Sequence, residues 1–411
     1  MPKAMERKRV FGLNPNIFFL GLVSFLTDAS SEMIFTLLPL FLASVLGAAT
    51  VVIGFIEGIA ESTASLLRIF SGWLSDNLGK RKSLTIIGYG LSTLAKPFMY
   101  IAATWGVVLS IRFTDRLGKG VRTAPRDALV ADSVSAEERG KGFGIHRAMD
   151  TSGAALGLVV AAAVVFLLQR GTLELERATY QWLVLIGIVP AVLALFMFFF
   201  VREPKKRSDT SSSYHSEKGL DRSVKVVDRE AGLGNRFKIF LGIMFVFTLG
   251  NSSDAFLILR AQNLGNSVLY ILLMLVLFNA VYAVVATPAG MVSDRLGRRR
   301  VIALGWLIYA LTYLGFALAS VSWQAWLLFA FYGVYYGLVE GVARAFVADM
   351  VPEERRGTAF GFFHGVVGIT LLPASVLAGW LWQSFSPAAP FYFGAGLASL
   401  AMVGLLTLVR E

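Results

Sequence analysis

The feature that most constrains this chain is a recurrence of apolar runs about as long as a lipid bilayer is thick. A membrane-spanning helix needs roughly 20 mostly apolar residues, and runs of that kind recur from residues 16–45 to residues 387–409. Apolar residues make up 56% of the 411 and charged residues 16%, a balance that is typical of membrane proteins. The sequence therefore predicts an all-α membrane protein.

The apolar runs fall into two groups of six, separated by a polar stretch. The stretch is rich in Ser and mixed charge, which is typical of a tether that cannot bury a core. We therefore expect an N-terminal six-helix bundle over residues 1–201, a cytoplasmic linker over 202–236 and a C-terminal six-helix bundle over 237–411. The predicted spans are 16–45, 50–75, 83–104, 106–132, 140–168, 180–201, 237–262, 267–290, 299–320, 324–350, 357–383 and 387–409.

The net charge of +11 is distributed in a way that indicates membrane topology rather than nucleic-acid binding. If spans are counted from the N-terminus, the basic clusters at residues 80–82, 202–207, 295–300 and 355–356 all fall on one side. An excess of Lys and Arg in short loops marks the cytoplasmic side of a membrane protein. We therefore expect an integral protein of the inner (plasma) membrane with both termini in the cytoplasm, surrounded by the lipid bilayer and without a nucleic-acid partner.

The two halves repeat each other in sequence. GWLSDNLGKRK at residues 72–82 matches GMVSDRLGRRR at 290–300, and ADSVSAEERGKGFG at 131–144 matches ADMVPEERRGTAFG at 348–361. The short pattern SSE in the first span matches SSD in the seventh, and VRE closes each half. These pairs indicate a duplicated six-span unit, and parallel six-helix repeats are the architecture of a large class of transporters.

The Gly-x-x-x-Asp-x-x-Gly-basic-basic pattern after the second and eighth spans resembles the signature loop of the major facilitator superfamily. The resemblance covers essentially the whole chain, and it implies twelve transmembrane helices in two pseudo-symmetric six-helix bundles that work by alternating access, usually as a monomer. In that family the loop Asp and a basic residue form a relay with an acid at the end of the fourth or tenth span. Matching residues are Asp76, Lys80 and Asp132 in the first half and Asp294, Arg298 and Asp349 in the second.

The fourth predicted span contains an unusually charged stretch, DRLGKGVRTAPRDA at residues 115–128. Hydropathy alone would make it a loop, but its repeat counterpart at 327–349 is apolar, and omitting this span would reverse the sidedness of every later basic cluster. Its five cations advance by three or four residues, so a helix places them within an arc of about 120°. They are Arg112, Arg116, Lys119, Arg122 and Arg126, and Asp115 shares their arc.

A charge at the bilayer centre costs about 2.5–3.5 kcal/mol on insertion scales, so this cationic stripe must face protein or a water-filled cavity. The family resemblance implies that spans 1, 4, 7 and 10 line the central cavity. Two interpretations stay open: the stripe binds a substrate anion, or its charges are neutralised in static ion pairs. Tyr336 and Asn251 are further candidates for hydrogen bonds to a ligand, although aromatic residues at helical spacing more often serve packing.

Several acids inside the predicted spans are candidates for proton coupling. Asp28 and Glu32 lie one turn apart on span 1, and two carboxylates that close in a low-dielectric site cannot both ionise freely. Glu61 on span 2 and Asp115 on span 4 are the other candidates. The alternative interpretation is that these acids form salt bridges to span 4.

The predicted function is secondary active transport of a small polar solute, anionic or zwitterionic, by alternating access and coupled to protons. No cofactor or metal is expected and no enzymatic activity, because no convergent Ser/His/Asp, metal-ligand or nucleotide-binding pattern occurs and cysteine is absent. A multidrug efflux antiporter for lipophilic cations is one alternative. Asp115-Arg116 and Leu158 depart from the antiporter patterns and disfavour it. A non-transporting receptor or assembly protein on the same fold is the other alternative.

Overall fold

The protein is an all-helical bundle in the parts of the chain that the structure, a computed structural model, describes. These parts are residues 13–78, 80–134, 139–169, 171–203, 234–351 and 356–409. Helices occupy the positions of all twelve predicted spans, so the all-α prediction is confirmed. Residues 204–233, which make up most of the predicted linker, lie outside the described residues.

Six helical segments make up the first half, and two of them, spans 1 and 3, are interrupted. Span 1 is Pro15–Phe35 continued by the short helices Leu38–Leu40 and Phe41–Val45, and span 3 is Arg81–Ala95 continued by a 3-10 turn over Lys96–Ile101. Pro125 lies inside span 4. The remaining bounds are Thr50–Leu78 for span 2, Trp105–Asp132 for span 4, Arg139–Leu168 for span 5 and Arg177–Met197 for span 6.

The second half contains the other six spans, and span 7 is broken in the middle. Its first helix is Asn235–Gly250 with Asn251 as the C-cap, and a second helix, Ala255–Asn263, begins after the four residues 251–254. The remaining bounds are Val268–Leu296 for span 8, Arg298–Leu318 for span 9, Ser322–Asp349 for span 10, Arg356–Ser384 for span 11 and Ala389–Leu408 for span 12.

Ten of these helices in the described residues are long and apolar enough to cross a membrane. Spans 3 and 4 fall outside this set, and each carries buried charge: Lys96 in span 3 and the cationic stripe in span 4. Both nevertheless pack against each other inside the bundle, and span 4 also packs against span 2. The prediction that residues 115–128 form a helix and not a loop is confirmed, because Trp105–Asp132 is one continuous helix.

The pairing of spans repeats between the halves. Span 1 packs on spans 5 and 6 as span 7 packs on spans 11 and 12, and span 2 packs on span 4 as span 8 packs on span 10. Across the two halves, span 2 packs on span 11 and span 5 on span 8. The two cross-pairs are equivalent to each other, because spans 8 and 5 are the repeat counterparts of spans 2 and 11, so the two groups of six are related by pseudo-twofold symmetry.

Two faces of the bundle need names. The terminal face carries the helix ends at residues 15, 78, 81, 132, 139, 197, 235, 296, 298, 349, 356 and 408. The opposite face carries the helix ends at residues 45, 50, 101, 105, 168, 177, 263, 268, 318, 322, 384 and 389. The halves are in direct contact at the opposite face. There the Gln262 amide donates to Ser44 Oγ (3.1 Å), and Thr50 Oγ1 donates to the Gly379 carbonyl (3.1 Å).

Spans 2 and 11 approach so closely that glycine is required at their contact. A Cβ at Gly54 would lie 2.1 Å from the Ser375 carbonyl oxygen, and one at Gly379 would lie 2.5 Å from the Thr50 carbonyl. Small residues allow such backbone contact between membrane helices. This contact, together with the buried side chains of Leu38, Leu40 and Phe256, closes the space between the halves at the opposite face.

The relay predicted for the second half is assembled at the terminal face. Arg298 Nε lies 2.6 Å from Asp349 Oδ2, and Arg298 Nη2 lies 3.5 Å from Asp294 Oδ1. All three residues belong to the same half. These contacts therefore fix the loop after span 8 to the end of span 10, and they do not bridge the two halves.

In the first half the relay differs from its prediction. The ion pair described for Asp132 is with Arg81, whereas Lys80 was the predicted partner. The reason is local: Lys80 precedes the span 3 helix in a non-helical conformation (φ −110°, ψ 65°), and Arg81 is the first residue of that helix, which packs on span 4. The side chain of Asp76 lies outside the described part of the structure.

Candidate substrate cavity

A cavity of about 550 Å³ lies between the two halves, near the middle of the spans. Spans 1, 2, 4 and 5 line it on one side, and spans 7, 8, 10 and 11 line it on the other. On its terminal side, the side chains of Arg147 and Arg344 are 60% and 53% exposed, around the half-buried Glu340. On this side an ion pair joins the two halves, with Arg147 Nη2 3.9 Å from Glu340 Oε1, and the two exposed arginines make it the side of the cavity that is nearest to solvent.

Arg112 is held in a buried ion pair. Its Nη2 lies 2.9 Å from Glu57 Oε2, its side chain and that of Glu57 are 5% and 7% exposed, and its guanidinium stacks 4.6 Å from the centre of the Phe35 ring. A buried pair of this kind positions two helices, here spans 4 and 2. Arg112 lines the cavity, but its charge is already matched.

Arg116 is shared between two acids on different spans. Arg116 Nη2 lies 3.3 Å from Glu61 Oε1 of span 2, and its Nε lies 3.8 Å from Asp115 Oδ2. Asp115 also lies 3.9 Å from Arg112. Glu61 and Asp115, which the sequence suggested for proton coupling, are thus members of a chain of alternating charges along spans 2 and 4.

The two stripe cations nearest the terminal face are packed within the first half. Arg122 Nη1 donates to Ser92 Oγ (2.6 Å), and its guanidinium lies 4.4 Å from the centre of the Tyr89 ring. Arg126 pairs with Asp127 at 2.9 Å. Arg122 still borders the cavity, whereas Arg126 is outside the set of residues that line it.

Lys119 is the exception in the stripe. Its half-buried side chain lines the cavity between Arg116 and Arg122, and it forms no ion pair or hydrogen bond with the described residues. Glu61 and Asp28 are the carboxylates that act on it electrostatically. Of the five stripe cations, Lys119 is therefore the one whose ammonium group is available to a solute.

Asp28 and Glu32 are not partners of each other. Glu32 accepts a 2.5 Å hydrogen bond from Thr36 Oγ1 on its own span. The carboxyl group of Asp28 lies within hydrogen-bonding reach of that of Asp150 on span 5, and Asp150 accepts a hydrogen bond from Arg147 Nη1 at 3.1 Å. The acid pair of this cavity thus joins spans 1 and 5.

Sequence reasoning did not single out Lys96, which lies just behind the cavity wall. Its side chain is fully buried, and its Nζ donates to Ser30 Oγ (2.8 Å) and Ser31 Oγ (3.0 Å) of span 1. A lysine inside an apolar span is the signal that could have found it, since an intramembrane charge is rare and needs a partner.

The charges that line the cavity do not sum to an excess of positive charge. Seven lining residues are acidic and five are basic, which leaves two more carboxylates than cations. The cations of the stripe outnumber the acids that are close to them in sequence, but spans 1, 2, 5 and 7 bring further acids to the cavity. The acids are Asp28, Glu32, Glu57, Glu61, Asp115, Asp150 and Asp254, and the bases are Arg112, Arg116, Lys119, Arg122 and Arg147.

The wall from the second half is aromatic and has one acid. Asn251, Asp254 and Tyr336 line the cavity together with Phe278 and Tyr282. The Tyr332 hydroxyl donates to Asp254 Oδ1 at 2.6 Å, and the Asn251 side chain accepts from the Tyr309 hydroxyl at 3.3 Å. Asn251 and Tyr336, predicted as ligand contacts, are thus placed in one wall, opposite the stripe.

Two helical bundles around a polar central cavity define a membrane transport protein. The Major Facilitator Superfamily model matches residues 20–250 and 239–411. The chain is 36% identical to an uncharacterised MFS-type transporter of Methanocaldococcus jannaschii, over 96% of this chain and 95% of that protein. It is 22% identical to the cis,cis-muconate transport protein of Acinetobacter baylyi, over 90% of this chain and 89% of that protein.

Among solved structures, a mutant of the nucleoside transporter NupG superposes with a TM-score of 0.78 at 12% identity, covering 96% of this chain and 100% of that one. The chain belongs to the Major Facilitator Superfamily. It is accordingly an integral membrane protein that acts as a secondary transporter of small molecules and not as an enzyme, and the resemblance inferred from its signature loops is confirmed.

Proposed function

We propose that this protein moves a small polar solute with an anionic group, either an anion or a zwitterion, across the membrane by alternating access and in exchange with or together with protons. The observation that carries the proposal is the ammonium group of Lys119, which has no partner among the described residues and lies in a cavity that is sealed at one face. An anionic group that enters from the terminal face meets this cation at the middle of the membrane, where a charge pair is poorly screened.

The other stripe residues serve this site indirectly. Arg112 and Arg116 are fixed by Glu57 and Glu61, so they position Lys119 on a rigid helix and keep its surroundings polar. Removal of Lys119 therefore abolishes solute binding, while the ion pairs maintain the fold. Arg122 contributes to the rim of the same site.

Proton coupling is assigned to Asp28 and Asp150. A hydrogen bond between two carboxyl groups requires one proton, so the contact between spans 1 and 5 depends on whether that proton is present. Lys119 and Arg122 on span 4, together with Arg126 and Arg147, are the cations that face the pair. A solute anion at Lys119 and a proton on the acid pair thus influence each other over a short distance.

The relatives support an anionic group in the solute. The cis,cis-muconate transport protein is named for the transport of muconate, which is a carboxylate, and it aligns with nearly the whole chain. The driving energy in this proposal is the membrane potential, worth about 2.3 kcal/mol per elementary charge per 100 mV, and the proton gradient.

The proposal also includes topology. The terminal face, with its basic clusters, lies in the cytoplasm of a plasma-membrane protein that works as a monomer. Residues 1–201 and 237–411 then rock against each other about the fixed site, and residues 202–236 connect them. In this arrangement the structure corresponds to a state that is open to the cytoplasm.

A transporter of lipophilic organic cations is the second candidate, because the cavity has more carboxylates than cations and one aromatic wall. The two candidates differ in the group that must recognise the solute. Lys119 is essential for an anion or a zwitterion, and it opposes the entry of a simple cation.

A thermal-shift titration of the detergent-purified protein with small carboxylates, zwitterions and organic cations tests the proposal. A ligand at 100 times its Kd stabilises the native state by about 2.7 kcal/mol, which gives a readable shift in Tm. We expect stabilisation by a carboxylate-bearing compound that disappears in Lys119→Gln and persists in Lys119→Arg. Stabilisation by organic cations alone, unchanged in Lys119→Gln, contradicts the proposal and supports the second candidate.

A further inference from the structure

The break in span 7 turns an acidic side chain toward the cavity. The helix Asn235–Gly250 is capped by Asn251, and Asp254 directly precedes the helix Ala255–Asn263. The Asp254 carboxylate makes no capping hydrogen bond to that helix. The residue is exposed to the cavity, whereas Ser252 and Ala255 beside it are buried.

Among the described residues, Asp254 has hydroxyl partners and no cationic partner. Tyr332 donates to its Oδ1 at 2.6 Å, and the Tyr336 hydroxyl lies within hydrogen-bonding reach of the carboxylate. Within the described residues, no Lys or Arg forms an ion pair with Asp254. This differs from Glu57, Glu61 and Asp150, each of which has an arginine.

Three aromatic rings make a corner beside this carboxylate. Phe278 and Tyr282 are roughly parallel, with an interplanar angle of 13°. Tyr336 stands at 88° to Phe278 and at 76° to Tyr282, with centroid distances of 5.3 Å and 6.1 Å. Rings that meet at right angles around a carboxylate are suited to an alkylammonium group, which is attracted to ring faces and to the negative charge.

The charge of the cavity favours such a group. Its lining has two more carboxylates than cations, and the first-half acids other than the Asp28–Asp150 pair are matched by arginines or hydrogen-bonded within their own helix. Asp254 therefore carries a negative charge that a cationic group of the solute can balance.

We propose that the corner formed by Asp254, Phe278, Tyr282 and Tyr336 binds an alkylammonium group of the transported solute, so that the solute is a zwitterion whose anionic group lies at Lys119. This inference rests on the proposed function, because it assigns the anionic end to Lys119. It places one end of the solute on each half of the protein. A solute that contacts both halves at once favours the state in which they close around it.

Tetramethylammonium chloride is the probe for the corner alone, because it is small enough to fit whatever the full solute is. Its binding to the detergent-purified protein is measured by saturation-transfer difference NMR at concentrations up to 100 mM, with sodium chloride added to constant ionic strength. The neutral isostere tert-butanol is the control ligand. We expect saturable binding of tetramethylammonium that is at least tenfold tighter than that of tert-butanol.

The variants Asp254→Asn and Tyr336→Leu are expected to weaken tetramethylammonium binding at least tenfold. Glu174→Gln, an exposed carboxylate on the opposite face, is the matched control and is expected to leave binding unchanged. The comparison with tert-butanol on the wild-type protein needs no variant, so it decides the question even where a variant fails to fold. No saturable binding to the wild type, or equal binding to Asp254→Asn, overturns the proposal.

A second titration, with sodium acetate, separates this inference from the function on which it rests. If acetate binds to the wild type but not to Lys119→Gln, and tetramethylammonium does not bind, the anion site is supported and the ammonium site is rejected. Tetramethylammonium binding without acetate binding does the reverse. For a zwitterion carrier we expect the two probes to bind at the same time without competing. Mutual displacement of the two probes contradicts the proposal.

Discussion

The carboxyl groups of Asp28 on span 1 and Asp150 on span 5 lie within hydrogen-bonding reach of each other. One turn nearer the terminal face, Ser24 Oγ and His146 Nε2 make a second contact between the same spans at 3.0 Å. Without the shared proton, two carboxylates would face each other in a setting of low dielectric constant, which is unfavourable. The packing of spans 1 and 5 is therefore linked to the occupancy of one proton site.

Asparagine at either acid is expected to uncouple transport from the pH gradient. In Asp28→Asn or Asp150→Asn one side chain is permanently neutral, so the pair no longer gains or loses a proton in the transport cycle. We expect accumulation driven by a pH gradient to fall at least tenfold in proteoliposomes, while solute exchange without a gradient continues. Glu174→Gln is the control. Loss of exchange and accumulation in equal measure would falsify this role and indicate a structural one.

Removal of Glu57 is expected to destabilise the protein strongly. The Glu57–Arg112 pair is more than nine-tenths buried, and truncating one member leaves an uncompensated buried charge, which typically costs about 3–5 kcal/mol. Thermal unfolding of Glu57→Ala in detergent should show a large drop in Tm. The double variant Glu57→Leu/Arg112→Met, which removes both charges, should recover most of it. Equal losses in both variants would contradict the ion-pair account.

A larger side chain at Gly54 is expected to weaken the seal at the opposite face. Its Cβ would lie 2.1 Å from the Ser375 carbonyl oxygen, so valine forces spans 2 and 11 apart. Overpacking of this kind costs about 1–3 kcal/mol, and we expect labelling from the opposite face to accelerate roughly tenfold.

The measurement uses Ala154→Cys, which lines the cavity, and a membrane-impermeant maleimide. The wild-type sequence has no cysteine, so the label reports on that position alone. Gly90→Val is the matched control, since an added Cβ there meets no atom within 4 Å. Identical labelling rates in Gly54→Val and Gly90→Val would show that this contact does not control access.

The helices could be predicted from sequence because apolar length and the internal repeat both specify them. The charged segment 115–128 shows the value of the repeat: its own hydropathy favours a loop, and its counterpart at 327–349 correctly predicts the helix. Span positions followed from the same two signals.

The ion pairs could be predicted only where both members lie on one helix or in one repeated motif. Arg298 and Asp349 were found through the motif, and the partners of Arg112 and Asp28 were not, because Glu57 and Asp150 lie on other spans. Lys80 was predicted as the partner of Asp132, but the partner is Arg81, because the span 3 helix begins at Arg81 and Lys80 precedes it. The balance of charge in the cavity depends on such cross-span contacts, so the stripe alone could not predict it.

Uptake into proteoliposomes from a defined equimolar mixture of small carboxylates, zwitterions and organic cations tests the central claim most directly. The vesicles carry an imposed pH gradient, the accumulated compounds are identified by mass spectrometry, and wild type is compared with Lys119→Gln and Lys119→Arg. We predict that the wild type and Lys119→Arg accumulate at least one compound with an anionic group and that Lys119→Gln does not. Accumulation of organic cations alone, or uptake that is the same in all three proteins, would contradict a solute site at Lys119.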